Sequence, residues 1–243
     1  MIAVGGRRPD IEGLRGIAVL VVLLEHTFGA PVGGFLGVDA FFVISGFVVG
    51  RGLLAKGAVH GRARIVDFFR RRVRRLAPTA LLVIGLTMAA SALLLRGSRR
   101  EQALIDGLAG LLGAANWRFI TSGAGYFDDA SAPSPFRHLW SLGVEEQFYF
   151  LLPLVLLLVI RRRRVGVGVL AVMVIASGAA AIATTTALPV FAFYSTVTRL
   201  WQLGVGVGLA LAERRIEGPG TGSTRALRWT GAVAFSGLLL LVA

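Results

Sequence analysis

Apolar residues run along this chain in blocks separated by short polar joints. Eight stretches stand out: 11–28, 36–54, 76–95, 102–120, 139–160, 165–188, 197–212 and 229–243. The third, Leu76 to Leu95, carries no charge. A helix that crosses a bilayer needs about 20 mostly apolar residues, and most of these blocks are of that order. In hydrocarbon, every backbone N–H and C=O must find a partner inside a helix or a closed barrel. Barrel strands alternate apolar and polar positions, and runs such as LLPLVLLLVI (151–160) do not. The pattern predicts an all-α fold: a polytopic transmembrane helical bundle of about seven to eight apolar helices. It places the protein in the cell membrane as a multi-pass chain.

Composition agrees. Of the 243 residues, 55% are hydrophobic and 16% are charged, against about 25% charged in an ordinary soluble domain, and the mean hydropathy is +0.74. The first stretch is longer than a signal-peptide core and contains Arg15, Glu25 and His26, so it reads as a retained first helix. The absence of cysteine excludes a disulfide framework, a thiolate metal site and a cysteine nucleophile, and no metal site is expected. The longest joint is the Gly-, Ser-, Pro- and Asp-rich loop 121–138. No repeat and no soluble domain is visible, and the whole of 1–243 reads as one transmembrane domain. The chain stops at Ala243 inside an apolar run, which suggests that final helices are missing.

The net charge of +13 would suggest nucleic acid in a soluble protein. Here the basic residues gather at the ends of apolar blocks: Arg70, Arg71, Arg72, Arg74 and Arg75, then Arg161 to Arg164, then Arg214 and Arg215. That is the signature of cytoplasmic joints and of attraction to anionic lipid headgroups; the partner it implies is the lipid bilayer, with no nucleic acid. If all eight blocks crossed from a cytoplasmic N-terminus, Arg161 to Arg164 would lie outside. If 102–120 dips in and returns, they lie inside, with Arg214 and Arg215. The second topology is expected, with His26, the 121–138 loop and Glu145 toward the outer face.

Ionisable groups within spans are costly and are the default functional candidates. Arg15 and His26 share the first helix. Eleven residues at about 100° each return to within about 20° of the same face, roughly 16 Å along the axis. Asp39 opens the second block and Glu145 the fifth. Plainer roles exist for each. Arg15 can snorkel to the headgroups, His26 can be a structural hydrogen-bonder, and Asp39 can cap its helix. The glycine-rich runs 165–169 and 204–210 follow no strand, so close helix packing by small residues is expected there rather than a phosphate loop.

Five ordered blocks together resemble acyltransferase family 3, the bacterial membrane O-acetylases and related O-acyltransferases. PDIEGLRGIAVLVVLLEH (9–26) is similar to the family's opening, an Arg, ten residues, then His. GGFLGVDAFFVISGFVV (33–49) resembles its second-helix signature. FFRRRVRRLAP (68–78) resembles its RxxR segment, with Arg72 and Arg75 in the two arginine positions. HLWSLGVEEQFYFLLP (138–153) is similar to its WSLxxEEQFY block. AFYSTVTRLWQLGVGVGLA (192–210) resembles a segment that commonly reads FYSPLTRxWEL, with Thr196 in place of Pro and Gln202 in place of Glu.

The resemblance implies an enzyme that moves an acyl group, often acetyl, from acyl-CoA to a hydroxyl of a surface polysaccharide, a lipid-linked sugar or a small molecule. Acyl-CoA would be a co-substrate rather than a bound cofactor. His26 inherits the catalytic role: its imidazole would take the hydroxyl proton as the oxygen attacks the thioester, or would attack first and form an acyl-imidazole. Glu145, also implied as catalytic, would orient His26 or the acceptor. Arg72 and Arg75 would hold the phosphates of CoA, and Arg15 would meet the donor or pair with Asp39. Ser141 and Tyr149 complete the implied substrate-binding set. The family fold has about ten spanning helices, and many members carry an esterase-like domain after them. The competing readings are a transporter of a small molecule or lipid-linked sugar, and an inactive truncated remnant.

Overall fold

The computed structural model describes residues 8–55, 62–123 and 133–216. All of their regular structure is helical: α1 (Pro9–Phe28), α2 (Leu36–Ala55), α3 (Arg62–Leu94), α4 (Gly97–Leu111), α5 (Ala115–Ser122), α6 (Leu139–Arg161), α7 (Arg163–Thr184), α8 (Pro189–Tyr194) and α9 (Thr196–Ile216). Among the described residues, four helices are long and apolar enough to cross a membrane: Leu36–Leu54, Ile65–Leu94, Leu139–Arg161 and Arg163–Thr184. α1 and α9 match them in length, at 20 and 21 residues, but carry more polar groups. The apolar stretch 229–243 lies outside the described residues, as do the side chains of Arg214 and Arg215.

Two expected blocks change shape. The basic run 62–75 is not a joint. It is the first part of α3, whose 33 residues extend about 50 Å. A hydrocarbon core of about 30 Å cannot hold that length upright, so the arginine-rich end reaches into the headgroups or beyond. Stretch 102–120 is not one helix. It breaks at Leu112–Ala114, where Gly113 takes φ +66, a conformation that penalises any residue with a Cβ. The arms are 15 and 8 residues long, about 22 and 12 Å, and each is too short to cross alone.

The chain forms two compact units: residues 1–56 with 202–243, and residues 57–201. The boundary falls within α9. In the first unit, α1 and α2 form a hairpin. Its turn starts at Gly29 (φ +70), whose N–H bonds to the Glu25 carbonyl. The two helices touch backbone to backbone: a Cβ on Gly37 would come within 2.6 Å of the Ala18 carbonyl oxygen. α2 meets α9 more closely still. A Cβ on Gly46 would overlap the Leu203 carbonyl, and one on Gly206 would overlap the Val43 carbonyl. Gly50 faces Val207 and Ala210 at 3.5 Å. This is small-residue packing between membrane helices, and it accounts for the middle glycine of the 204–210 run. Gly208 has open space around it.

In the second unit α6 is the central helix, with half of its apolar window buried, against 11% for α3 and 17% for α7. α3 and α7 therefore present most of their apolar surface outward, as lipid-facing helices do. α4 packs on α3, where Gly107 admits the Met88 side chain, and on α6, where Gly110 admits Leu139. α7 packs on α6 through Gly166, whose Cβ would overlap the Val159 backbone. The short α8 begins with Pro189 at its first position, where the missing N–H costs nothing.

Candidate active site

The second unit brings three sequence-singled residues, Arg72, Glu145 and Tyr149, together around α6. Arg72 projects from α3 onto one face of the EEQFY run. Its Nε lies 3.0 Å from Glu146 Oε1 and its Nη2 lies 3.7 Å from Glu145 Oε2. Its guanidinium carbon sits 3.6 Å from the centroid of the Tyr149 ring, and the Tyr149 hydroxyl donates to Glu145 Oε2 at 3.2 Å. Tyr149 is buried, while Arg72 and Glu145 are 15% and 18% exposed. The period of the helix explains the set. Glu145 and Tyr149 are four residues apart and share a face, and adjacent Glu146 reaches the same guanidinium from the side. Arg75, one turn further along α3, is exposed, and so are Arg70, Arg71 and Arg74. Arg71 pairs with Asp67 within the helix. Ser141 donates to the His138 carbonyl at 3.3 Å within its own turn.

The broken α4–α5 pair docks on the same run of α6. Gln147 Nε2 donates to the Gly113 carbonyl at 2.9 Å and to Asn116 Oδ1 at 3.0 Å. Asn116, fully buried, donates to the Tyr194 carbonyl at 3.2 Å and to Thr196 Oγ1 at 3.0 Å. The Thr196 hydroxyl donates to Gln147 Oε1 at 2.5 Å, and Trp117 Nε1 donates to the same oxygen at 2.9 Å. The buried Asp106 of α4 takes Arg118 of α5 at 3.0 Å. Irregular backbone at membrane depth survives only where protein or water satisfies it, and this network supplies partners at the break. A Cβ on Gly113 would lie 3.9 Å from that of Glu146, so the break lies beside the base of the Glu146 side chain.

The first unit holds the other candidates. Arg15 and His26 stand on one unbroken helix, as the spacing argument requires. The Arg15 guanidinium lies 5.8 Å from the Phe41 ring centroid. His26 is exposed at the end of α1, and its Nδ1 sits 2.8 Å from the Val22 carbonyl oxygen. A carbonyl only accepts, so Nδ1 is the donor in this contact. Asp39 lies in the first turn of α2 and accepts from Gln202 Nε2 of α9 at 3.2 Å.

Sequence reasoning missed several partners. Glu213, buried at 3% exposure, receives Arg8 at 2.5 Å and Arg51 at 3.0 Å, tying together the starts and ends of three helices. Arg8 also forks onto Asp10, and that hydrogen bond holds the Asp10 carboxyl below its usual range. The Asn116–Gln147–Thr196 network was unmarked as well. Its one signal was the departure at Thr196, where a proline could not form these bonds.

The family model described as an acyltransferase domain matches residues 8–243. The peptidoglycan O-acetyltransferase OatA of Listeria monocytogenes is 37% identical over 150 residues, covering 60% of this chain and 23% of the relative. The O-acetyltransferase OatA of Staphylococcus aureus is 36% identical over 148 residues, covering 60% and 24%. The chain thus spans about a quarter of the length of these relatives. No solved structure matches it. With a match from residue 8 to the last residue, this chain belongs to acyltransferase family 3, the membrane O-acyltransferases.

Proposed function

We propose that this chain carries the membrane-embedded machinery of an O-acyltransferase that moves an acyl group, acetyl in the simplest case, from acyl-CoA to a hydroxyl of a cell-envelope glycan. The observation that carries the reading is His26. Its Nδ1–H is committed to the Val22 carbonyl, so Nε2 is the atom that can accept a proton, in a chain of acyltransferase family 3. The sugar oxygen attacks the thioester carbonyl as Nε2 takes its proton. The C–S bond then breaks, and the departing CoA thiolate recovers that proton. General-base help of this kind contributes about 10²- to 10⁴-fold in rate. Peptidoglycan is the first acceptor to test, because the matched Listeria relative is named for it.

The other site residues divide by unit. Arg15 meets the donor from the helix that carries His26, and Asp39, oriented by Gln202, supports the substrate. Glu145 orients the acceptor and is itself held by Tyr149 and Arg72. Arg75, exposed at the basic end of α3, attracts the CoA phosphates. Arg72 is already engaged by two carboxylates, so a phosphate would compete with them for it. Ser141 sits two residues into α6, ahead of the carboxylates. The broken α4–α5 pair would also suit a transporter, and the family match weighs against that reading.

The test is mass spectrometry of cell-envelope glycans from cells with the intact gene, without it, and with His26→Ala. Acyl esters present only with the unaltered gene support the proposal. Identical glycans in all three, while labelled acyl-CoA is consumed by none of the membranes, would refute it.

A further inference from the structure

The turn between α6 and α7 is a single residue. Arg162 ends one spanning helix and begins the next, at φ −137 and ψ 73. Its N–H bonds to the Leu158 carbonyl at 2.8 Å, and its carbonyl accepts from Gly166 N at 2.9 Å. Gly166 lies against the Val159 backbone, so the two helices leave the turn already packed. Four consecutive arginines, Arg161 to Arg164, occupy this rigid tip, and all four are exposed. Among the described residues none of them is in an ion pair. Four described acids of the same unit are engaged elsewhere: Asp67 with Arg71, Asp106 with Arg118, and Glu145 and Glu146 with Arg72.

Both helices are apolar enough to span, so their shared tip must sit at a membrane surface. There the abundant anion is the lipid phosphate. Guanidinium forks grip phosphate oxygens in pairs. The uncapped first turn of the 22-residue α7 adds its N-terminal N–H groups on the same side. We infer that the Arg161–Arg164 tip is a binding site for anionic phospholipid headgroups, which anchors the α6–α7 hairpin and does so independently of acyl transfer.

Each basic residue beside an anionic surface changes partition by about fivefold, so losing four should weaken binding at least tenfold. The full chain in detergent is titrated with phosphatidylglycerol, with phosphatidylcholine and with inorganic phosphate, reading bound lipid by native mass spectrometry and stability by thermal unfolding. Phosphatidylglycerol should bind and stabilise, and the other two should not. Replacing Arg161 to Arg164 with Gln should remove the effect. Replacing them with Lys preserves the topology signal and should keep part of the affinity. Replacing the exposed Arg96, Arg99 and Arg100 with Gln should leave it intact. The inference falls if the four-Gln variant binds phosphatidylglycerol as well as the parent, or if the 96/99/100 variant loses as much. Equal stabilisation by phosphatidylcholine or by inorganic phosphate also overturns it.

Discussion

Replacing Arg72 with Ala leaves two neighbouring carboxylates, 18% and 31% exposed, without their shared cation. Removing one partner of a buried ion pair costs about 3–5 kcal/mol. Because both glutamates still reach solvent, the figure here falls to about 2–3 kcal/mol. The guanidinium at 3.6 Å from the Tyr149 ring centroid adds about 1 kcal/mol. A loss of about 3–4 kcal/mol, at roughly 2–4 °C per kcal/mol for a chain of this size, predicts an apparent Tm lower by about 10 °C in detergent. Arg72→Lys keeps a charge but neither fork nor stack, and should fall by about a third to a half as much. Adding Glu145→Gln and Glu146→Gln to Arg72→Ala removes the repulsion and should restore most of the loss.

The same variants separate two roles for Arg72. If it positions the carboxylates, Arg72→Lys lowers kcat and leaves the KM for acyl-CoA nearly unchanged. Arg75→Ala, on the exposed side of the same turn, raises that KM. The reasoning is refuted if Arg72→Ala unfolds within about 2 °C of the parent, or if the triple variant recovers nothing. A change confined to donor KM would make Arg72 a phosphate ligand after all.

His26→Ala should lower the acyl-transfer rate at least about 10²-fold with an unchanged unfolding profile, and near-normal turnover would make the imidazole structural. Gly206→Leu must push α2 away from α9, since even its Cβ would meet the Val43 carbonyl. It should cost about 3 kcal/mol or more, whereas Gly208→Leu, with nothing within 4 Å, should cost under about 1 kcal/mol, and equal thermal shifts would contradict the packing. With no native cysteine to interfere, an impermeant thiol reagent on intact cells should label Cys placed at Arg96 and at Ser122 but not at Arg162. Labelling at 96 without 122 would mean that 102–120 makes a net crossing.

The apolar blocks located most helices to within a few residues because a bilayer imposes a length and forbids charge in between, and both are one-dimensional properties. The break at Gly113 was harder to read. LAGLLGAANW (108–117) is as apolar as a span, and only the left-handed φ of one glycine divides it. Motif spacing likewise named the residues of the carboxylate cluster without naming its bonds. Arg72 and Glu146 are 74 positions apart, and only the packing of α3 on α6 joins them. That packing alters the argument about chemistry. An arginine placed by motif as a phosphate ligand also pairs with two glutamates, and the polar residues that hold the broken helix on α6, Asn116, Gln147 and Thr196, belong to no ionisable set. A search for charges in apolar blocks finds the groups that can react. Neutral amides and hydroxyls fix how the surrounding helices dock, and amphipathic pattern does not register them. Thr196 stands out because it replaces a proline in a recognisable segment, and its two hydrogen bonds show why the departure is tolerated: this chain uses the position to close the network around Gln147.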